Sequence, residues 1–411
     1  MDLRDKLERL GVRKGAQHLV PRPAVELRPH GIERVLPGQI VENESGAFYL
    51  TEETYLPGYR HGDWPLAALL EQPAAHVLPL AKDESLAGLD FREAVFIDTE
   101  TTGLAGGTGT YAFLVGVGYF QGDSFTLAQF FLRDFDDEPA MLEELSGLLD
   151  RHSALVSFNG RAFDWPLLET RYILARRPAP LAGAPHLDLL HLARRLWRVR
   201  LASCSLSSLE QNILGVQRDG DDVPGWMVPQ LYFDYLQSGD ARPLTQVFYH
   251  NAQDILSLVT LAAYLGQIGA DPLGQCLLQG EDLYSLGRFL ERSGEPEEAL
   301  RIYEKSLTCP LSLEVQHGVA LQLSLLYKRL GQMEQAVQLW SSALGQGQLY
   351  PYVELAKYYE HQAKDYRQAQ DCVRQAMELV QQAGYGNRWE RQRDLQELQR
   401  RLQRLERKLG G

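Results

Sequence analysis

Residues 94–118 read AVFIDTETTGLAGGTGTYAFLVGVG, and this stretch decides how the chain around it is interpreted. Its apolar start predicts a short buried strand, with Asp98 and Glu100 at the end of that strand. Residues two apart on a strand project from the same face, so both carboxylates can point at one spot. Two such acids repel each other unless a cation lies between them, and oxygen ligands suit Mg²⁺ or Mn²⁺. We therefore expect a metal site here.

The composition is that of an ordinary globular protein. The chain has 411 residues, 45% hydrophobic and 23% charged, which predicts one to three domains. No run approaches the ~18 apolar residues of a membrane span, and the charged start MDLRDKLERL does not resemble a signal peptide. We expect a cytoplasmic protein without membrane contact. The scattered cysteines predict reduced structural thiols: Cys204, Cys276, Cys309 and Cys372.

The net charge of −13 is unusual for a nucleic-acid binder, because affinity for phosphates comes largely from Lys and Arg. Residues 91–265 carry 13 Arg, no Lys and 21 acids, a net charge of −8. Two divalent cations bound at four acids would offset part of this charge. The balance discourages broad non-specific binding but allows a local basic groove.

From residue 91 onward the order of predicted elements indicates a fold. Three strands come first and form antiparallel pairs, and helices and strands then alternate, which is the topology of a ribonuclease H-like α/β domain. We expect a mixed five-stranded sheet with flanking helices over residues 91–268. The predicted strands are 94–98, 111–120, 125–132, 154–158 and 186–188; the predicted helices are 138–149, 166–175, 189–198, 205–214 and 245–265.

Residues 1–90 carry no visible chemistry and are predicted to be a lead-in packed on this domain. Residues 2–10 can form an amphipathic helix, and the Pro-rich residues 20–37 are predicted to be extended. Residues 40–56 contain Asn-Glu-Ser-Gly between apolar stretches, which predicts a hairpin.

Beyond Gly280 the chain becomes helical and repetitive. Residues 280–380 carry apolar and small residues at the spacing of three tetratricopeptide helix pairs. Ala299, Ala336 and Ala369 stand at corresponding positions, 37 and 33 residues apart, which brackets the expected ~34. A repeat domain of this kind usually binds a protein partner on its concave face. The alternative is a plain helical bundle with coincidental spacing.

Residues 388–411 carry 8 basic and 4 acidic residues and a leucine seam. We interpret them as a basic helix that caps the repeats. A dimer seam and a DNA contact are the alternatives.

Further acids stand where this fold would bring them to Asp98 and Glu100. Asp164 precedes a helix predicted to begin near Pro166, and the positive end of that helix would keep the carboxylate ionised. Asp254 lies on the last long helix, one turn after His250. The four carboxylates can hold two divalent ions for phosphodiester hydrolysis, with His250 as the base.

These motifs resemble those of the DEDD family of 3′→5′ exonucleases. Asp98-Thr-Glu-Thr-Thr-Gly-Leu104 resembles the family's first motif, Asn159-x4-Asp164 its second and His250-x3-Asp254 its third. The repeats and the Gly-Gly-Thr-Gly-Thr-Tyr-Ala-Phe run are similar to the YprB-like branch. The resemblance implies a DNA exonuclease, with two Mg²⁺ or Mn²⁺ ions bound by Asp98, Glu100, Asp164 and Asp254. It also implies a role in DNA repair and a protein partner, with a repair helicase as the candidate.

The third motif departs from the family in one respect. The usual base is a histidine five residues before the last Asp, or a tyrosine four before it. Here Tyr249 is five before Asp254 and His250 is four before it. The two side chains differ by about 100° around the helix, so only one can face the metals. We assign the base to His250, because the pKa of histidine suits proton transfer near neutrality.

Other residues have two interpretations each. Thr101 and Thr102 either touch the terminal nucleotide or cap a turn, and the basic residues of 194–200 either follow the nucleic-acid backbone or form a solvated helix face. Asp188 is either a fifth acid or a helix N-cap. We place these residues at the substrate: Thr101, Thr102, Gly103, Leu104 and Asn159.

Two other functions are compatible with the sequence. The motifs bind a sugar-phosphate end without revealing the sugar, so an exoribonuclease in RNA turnover is one alternative. The other is a scaffold that binds nucleic acid without hydrolysing it and acts through its repeats. The complete set of acids with a histidine argues against the scaffold.

Overall fold

The computed structural model describes residues 30–103, 108–218, 222–274 and 278–410. Several predictions concern residues outside these ranges: the helix over 2–10, most of the extended stretch over 20–37, the substrate contact of Leu104, and Cys276. Within 20–37, the helix Ile32–Val35 replaces part of the predicted extended chain. Cys204, Cys309 and Cys372 are free thiols.

The described part of the chain contains these strands: β1 (Gln39–Asn43), β2 (Gly46–Tyr55), β3 (Arg60–His61), β4 (Trp64–Pro65), β5 (Ala94–Thr101), β6 (Ala112–Gln121), β7 (Ser124–Phe131), β8 (Ala154–Ser157) and β9 (His186–Asp188). Its α-helices are α1 (Ile32–Val35), α2 (Ala74–Ala81), α3 (Glu138–Leu149), α4 (Asp164–Leu174), α5 (Leu189–Trp197), α6 (Leu206–Leu209), α7 (Val228–Ser238), α8 (Leu244–Ala270), α9 (Gly280–Arg292), α10 (Pro296–Leu307), α11 (Leu313–Arg329), α12 (Met333–Ser342), α13 (Tyr350–Tyr358), α14 (Tyr366–Gln381) and α15 (Arg388–Leu409).

Seven strands form one mixed sheet in the order β1-β2-β7-β6-β5-β8-β9. Strands β5, β6 and β7 are antiparallel neighbours, and β8 and β9 continue the sheet in parallel. The prediction of five strands was wrong, because the hairpin of β1 and β2 also belongs to this sheet. Its second strand pairs with β7 from Tyr49 opposite Phe131 to Tyr55 opposite Phe125. The hairpin itself was predicted, but its pairing with a strand 76 residues later is not a local property of the sequence.

The centre of the sheet is apolar on both faces, as expected for strands covered on two sides. Every residue of β6 from Ala112 to Phe120 is buried. Phe113 stacks on Tyr232 of α7 with ring centroids 4.0 Å apart. Helix α7 was absent from the prediction. It supplies much of the aromatic packing at this end of the sheet.

Helix α8 lies close to β6 because two glycines remove side chains from that strand. A Cβ at Gly116 would lie 2.2 Å from Asn251 Oδ1, and one at Gly118 would lie 2.6 Å from Ile255 Cγ2. The helix therefore carries its polar residues directly onto the sheet. It is longer than predicted at both ends.

The described residues group by packing into two compact units. The first comprises residues 30–71, 84–188 and 214–261; the second comprises 72–83, 189–213 and 262–410. The units are therefore interleaved along the chain.

The second unit is helical, which is compatible with the predicted repeats. Helix α15 packs against α14 with Leu398 and Leu405 buried. Glu360 is fully buried and accepts hydrogen bonds from three basic residues of α15, which are Arg401, Arg404 and Lys408. Part of the positive charge of α15 is therefore neutralised inside the unit. Among the helices of the described ranges, none combines the length and the apolar composition that crossing a bilayer requires.

Candidate active site

The acidic pair Asp98 and Glu100 lies on β5, which is hydrogen-bonded to β6 on one side and β8 on the other. The four residues before them are buried, and the strand becomes partly exposed from Asp98 onward. Burial raises the pKa of Asp98 well above its usual range, and the charges of Asp254 and Asp164 add to this rise. Burial and the charge of Asp98 raise the pKa of Glu100 in the same way. The carboxylates therefore form one electrostatic cluster.

Asp164 is the first residue of α4 and not a residue ahead of it. It accepts hydrogen bonds from the backbone N–H of Thr99, at 3.2 Å, and from the Thr99 hydroxyl, at 2.5 Å. Burial raises the pKa of Asp164, and the bonds from Thr99 oppose that rise. Thr99 stands between Asp98 and Glu100, so β5 holds the third acid directly.

The turn ahead of α4 is strained and is held by Asp188. Asn159 has a left-handed backbone conformation with φ of 66°, which is uncommon for a residue other than glycine. Its N–H donates to Asp188 Oδ1 at 2.8 Å, and the N–H of Arg161 donates to Oδ2 at 3.3 Å. The charge of Asp188 also contributes to the raised pKa of Asp164. Asp188 thus positions this turn from the end of β9.

Helix α8 brings His250 to the acids. His250 Nε2 lies 4.0 Å from Glu100 Oε1 and 3.8 Å from Asp254 Oδ2. Nδ1 lies 2.7 Å from Asp222 Oδ1, and this short contact with an acceptor favours the proton on Nδ1. Tyr249 lies close enough to Tyr59 to contribute to the raised pKa of that residue, after burial and the charge of Glu53.

Asn251 links α8 to β5 and was missed by the sequence reasoning. It is fully buried, and its Nδ2 donates to Asp98 Oδ2 at 2.8 Å. Its Oδ1 accepts from Gln129 Nε2 at 2.9 Å, so the amide has a fixed orientation. Gly116 provides the space for it. The available signal was its place between His250 and Asp254.

Arg218 is a second residue that sequence reasoning missed. Its guanidinium donates to Asp254, contacts Asp222 Oδ2 at 3.3 Å and lies 3.0 Å from His250 Nδ1. Its positive charge lowers the pKa of Asp98 and of Glu100, against the larger effect of burial. The signal for it was a single cation beside three acids within residues 218–222.

Comparison with known proteins agrees with this architecture. A family model described as RNase_H superfamily matches residues 95–266. The uncharacterized protein YprB of Bacillus subtilis (strain 168) is 34% identical over 326 residues, which is 78% of this chain and 78% of that protein. The chain belongs to the YprB family. The range 95–266 that matches the RNase_H superfamily model includes all four acids of this site.

In this YprB-family chain the hydroxyls after the acidic pair are engaged in a turn. Thr101 Oγ1 donates to the carbonyl of Gly103 at 3.1 Å. Thr102 Oγ1 accepts from the N–H of Tyr111 at 3.0 Å. These bonds are those of turn capping, and they stabilise the connection between β5 and β6.

The donor set suits divalent cations, because carboxylate oxygens are the ligands that Mg²⁺ and Mn²⁺ prefer. In the described residues, no three His, Cys, Asp or Glu side chains are arranged around a point that could hold a metal ion. Asp254 instead contacts Arg218, Asp98 contacts Asn251, and Asp164 contacts Thr99. The buried acids nevertheless repel one another and raise one another's pKa, which is the electrostatic condition that a bound cation relieves. On this test the YprB-family residues fit the expected ions.

Proposed function

We propose that this protein is a metal-dependent 3′→5′ exonuclease that hydrolyses phosphodiester bonds of DNA. The observation that carries the proposal is the convergence of buried acids with one histidine in an RNase H-like domain. Such a cluster is costly to the fold and has an evident use only with a cation and an anionic substrate.

The acids Asp98, Glu100, Asp164 and Asp254 would hold the ions. When bound, Mg²⁺ or Mn²⁺ would supply Lewis-acid chemistry that activates a water and polarises the phosphodiester. His250 accepts the proton of the attacking water at Nε2. Asp222 keeps the other ring nitrogen protonated, Asn251 orients Asp98, and Thr99 orients Asp164.

The choice of DNA, the 3′ polarity and the place in DNA repair rest on the resemblance to DEDD exonucleases of the YprB-like branch. A helical second unit that binds a protein partner, such as a repair helicase, belongs to the same proposal. Thr101, Thr102, Gly103, Leu104 and Asn159 remain the proposed contacts of the substrate end.

The test is a time course with DNA and RNA labelled at the 3′ or the 5′ end, in Mg²⁺, Mn²⁺ or EDTA. We expect metal-dependent release of mononucleotides from DNA 3′ ends, abolished in Asp98→Ala. Asp123→Ala is the matched control, because Asp123 lies in an exposed turn and pairs there with the exposed Arg92.

Three outcomes would contradict the proposal. Cleavage of RNA alone would move the protein to RNA turnover, and an undiminished rate in Asp98→Ala would refute the metal site. Binding without cleavage of any substrate would favour a scaffold that acts through the second unit.

A further inference from the structure

A cavity of about 350 Å³ lies within the second unit, between α5 and α9. Residues from successive turns of these two helices line the cavity. No Asp or Glu is among the described residues that line it. Five of the lining residues are arginines: Arg194, Arg195, Arg198, Arg288 and Arg292.

These arginines have no acidic partners. Among the described residues none of the five forms an ion pair with a carboxylate. Arg195 donates to the carbonyl of Ala81 at 3.3 Å and lies over the ring of Phe289 at 4.1 Å, while Arg288 lies over the ring of Tyr284 at 5.5 Å. Burial lowers the pKa of Arg195, and its guanidinium also donates to the carbonyl of Leu80, so its contacts are neutral carbonyls and the ring of Phe289.

Arg200, in the same segment of the chain, differs from these arginines because it has an acidic partner. Arg200 follows α5 and donates to the buried Asp282 of α9 at 2.8 Å. The five arginines of the cavity have no such ion pair among the described residues, although the whole chain has a net charge of −13 and acids are abundant. Like charges gathered around one space repel one another, so a bound anion would stabilise this arrangement.

The geometry of the two helices suits phosphate groups in a row. Arg194 lies in the last turn of α5 and Arg198 directly follows the end of that helix, while Arg288 and Arg292 are one turn, about 6 Å, apart on α9. The planar guanidinium matches two phosphate oxygens at once. The guanidinium groups are spread along the ends of two helices instead of converging on one point, so the arrangement favours consecutive phosphates of a strand.

We propose that the arginine cavity between α5 and α9 binds the phosphodiester backbone of a nucleic-acid strand. This cavity shares no residue with the carboxylate cluster of the proposed nuclease. Binding there requires neither metal nor hydrolysis, so it can be tested independently of the proposed function.

The experiment measures binding of a fluorescent single-stranded oligonucleotide to the full-length protein in EDTA, over a series of salt concentrations. The test variant is Arg194→Glu with Arg292→Glu, because both side chains are exposed and their replacement should preserve the fold. We expect affinity to fall at least tenfold. We also expect the slope of log K against log salt to decrease by about 0.7 for each phosphate contact that is lost.

The matched control is Arg367→Glu with Arg374→Glu, which makes the same charge change at exposed positions of α14 in the same unit. Arg198→Gln with Arg288→Gln is a second test variant, should charge reversal disturb the fold as judged by circular dichroism. Equal affinity and equal salt slope in the test and control variants would overturn the proposal.

Competition experiments identify the kind of anion that the cavity binds. An unlabelled oligonucleotide should displace the probe at far lower concentration than a mononucleotide or inorganic phosphate. Equal potency of inorganic phosphate would reduce the cavity to a single-phosphate site. Equal potency of polyglutamate of the same charge would make it a site for acidic proteins; either result would overturn the strand proposal. Asp123→Ala, which removes an exposed acid outside both sites, should bind the probe like the unchanged protein.

Discussion

Asn251 shows how one buried amide organises the candidate site. It accepts from Gln129 on β7 and donates to Asp98 on β5, so the same side chain connects two strands with α8. Partners of this kind typically influence metal affinity or activity by 10- to 100-fold. Its importance depends on contacts 122 and 153 residues away along the chain, which no local pattern in the sequence contains.

The acids themselves were predictable, because their motifs are local. Strand alternation predicts that Asp98 and Glu100 share a face, and helix periodicity predicts that His250 and Asp254 do. Arg218 and Asp222 were not predictable in the same way. They belong to a polar connection without periodicity, and only the folded chain brings them to His250.

The assignment of the base leads to a prediction for His250. Replacing His250 by Ala should lower kcat about 10²- to 10⁴-fold, because the attacking water loses its proton acceptor. Tyr249→Phe is the control on the neighbouring position and should retain most of the activity. Single-turnover rates measured across a pH series would compare the two. A larger loss in Tyr249→Phe would reassign the base to the tyrosine.

At the scale of elements, the sequence predicted β5 through β8 and α3 well, because each is a strongly apolar or clearly periodic segment, and it indicated the short strand β9. The sequence does not reveal that the β1–β2 hairpin pairs with β7, because this pairing depends on which strand edge the sheet leaves available. Helix α7 was missed, because its aromatic residues fit a strand pattern as well as a helix, and tertiary packing of Tyr232 on Phe113 decides the outcome.

The contact between Glu360 and α15 leads to a prediction for stability. Burial raises the pKa of Glu360, but hydrogen bonds and charges from Arg404 and Lys408 outweigh it and lower that pKa to about 2. Glu360→Gln should reduce the free energy of unfolding at pH 7 by about 1–3 kcal/mol, because the basic side chains lose their partner.

The sign of the pH dependence follows from the lowered pKa. The stabilisation by Glu360 is fully present above the ordinary glutamate pKa of 4.5 and is lost as pH falls towards about 2. Urea unfolding at several pH values should therefore show a difference between the two proteins that shrinks below about pH 4.5. Glu378→Gln, at an exposed position of α14, serves as control. A difference that persists unchanged at pH 2.5 would contradict this account.

At the scale of the whole molecule, the acid cluster lowers the stability of the fold. The raised pKa of Asp98 means that its ionised form opposes folding at pH 7, since the unfolded chain ionises more readily. In EDTA, Asp98→Asn should therefore raise Tm, by roughly 2–4 °C for each kcal/mol of relieved repulsion.

Added Mn²⁺ should reverse this ranking. The unchanged protein should gain Tm in Mn²⁺, because the ion binds only the folded state, and Asp98→Asn should gain less. Thermal denaturation followed by circular dichroism checks both results, with Asp123→Asn as the exposed control. A fall of Tm in EDTA for Asp98→Asn would show that the carboxylate stabilises the fold.

The interleaving of the two units has a consequence for biosynthesis. Helix α5 ends at Trp197, whereas α9, whose Phe289 lies under Arg195, begins at Gly280. At about 5–20 residues per second, roughly 4 to 16 s pass between the synthesis of these two helices. During that time α5 lacks the helix α9, which packs against it in the folded protein. We expect the second unit to remain incomplete until α9 has been synthesised.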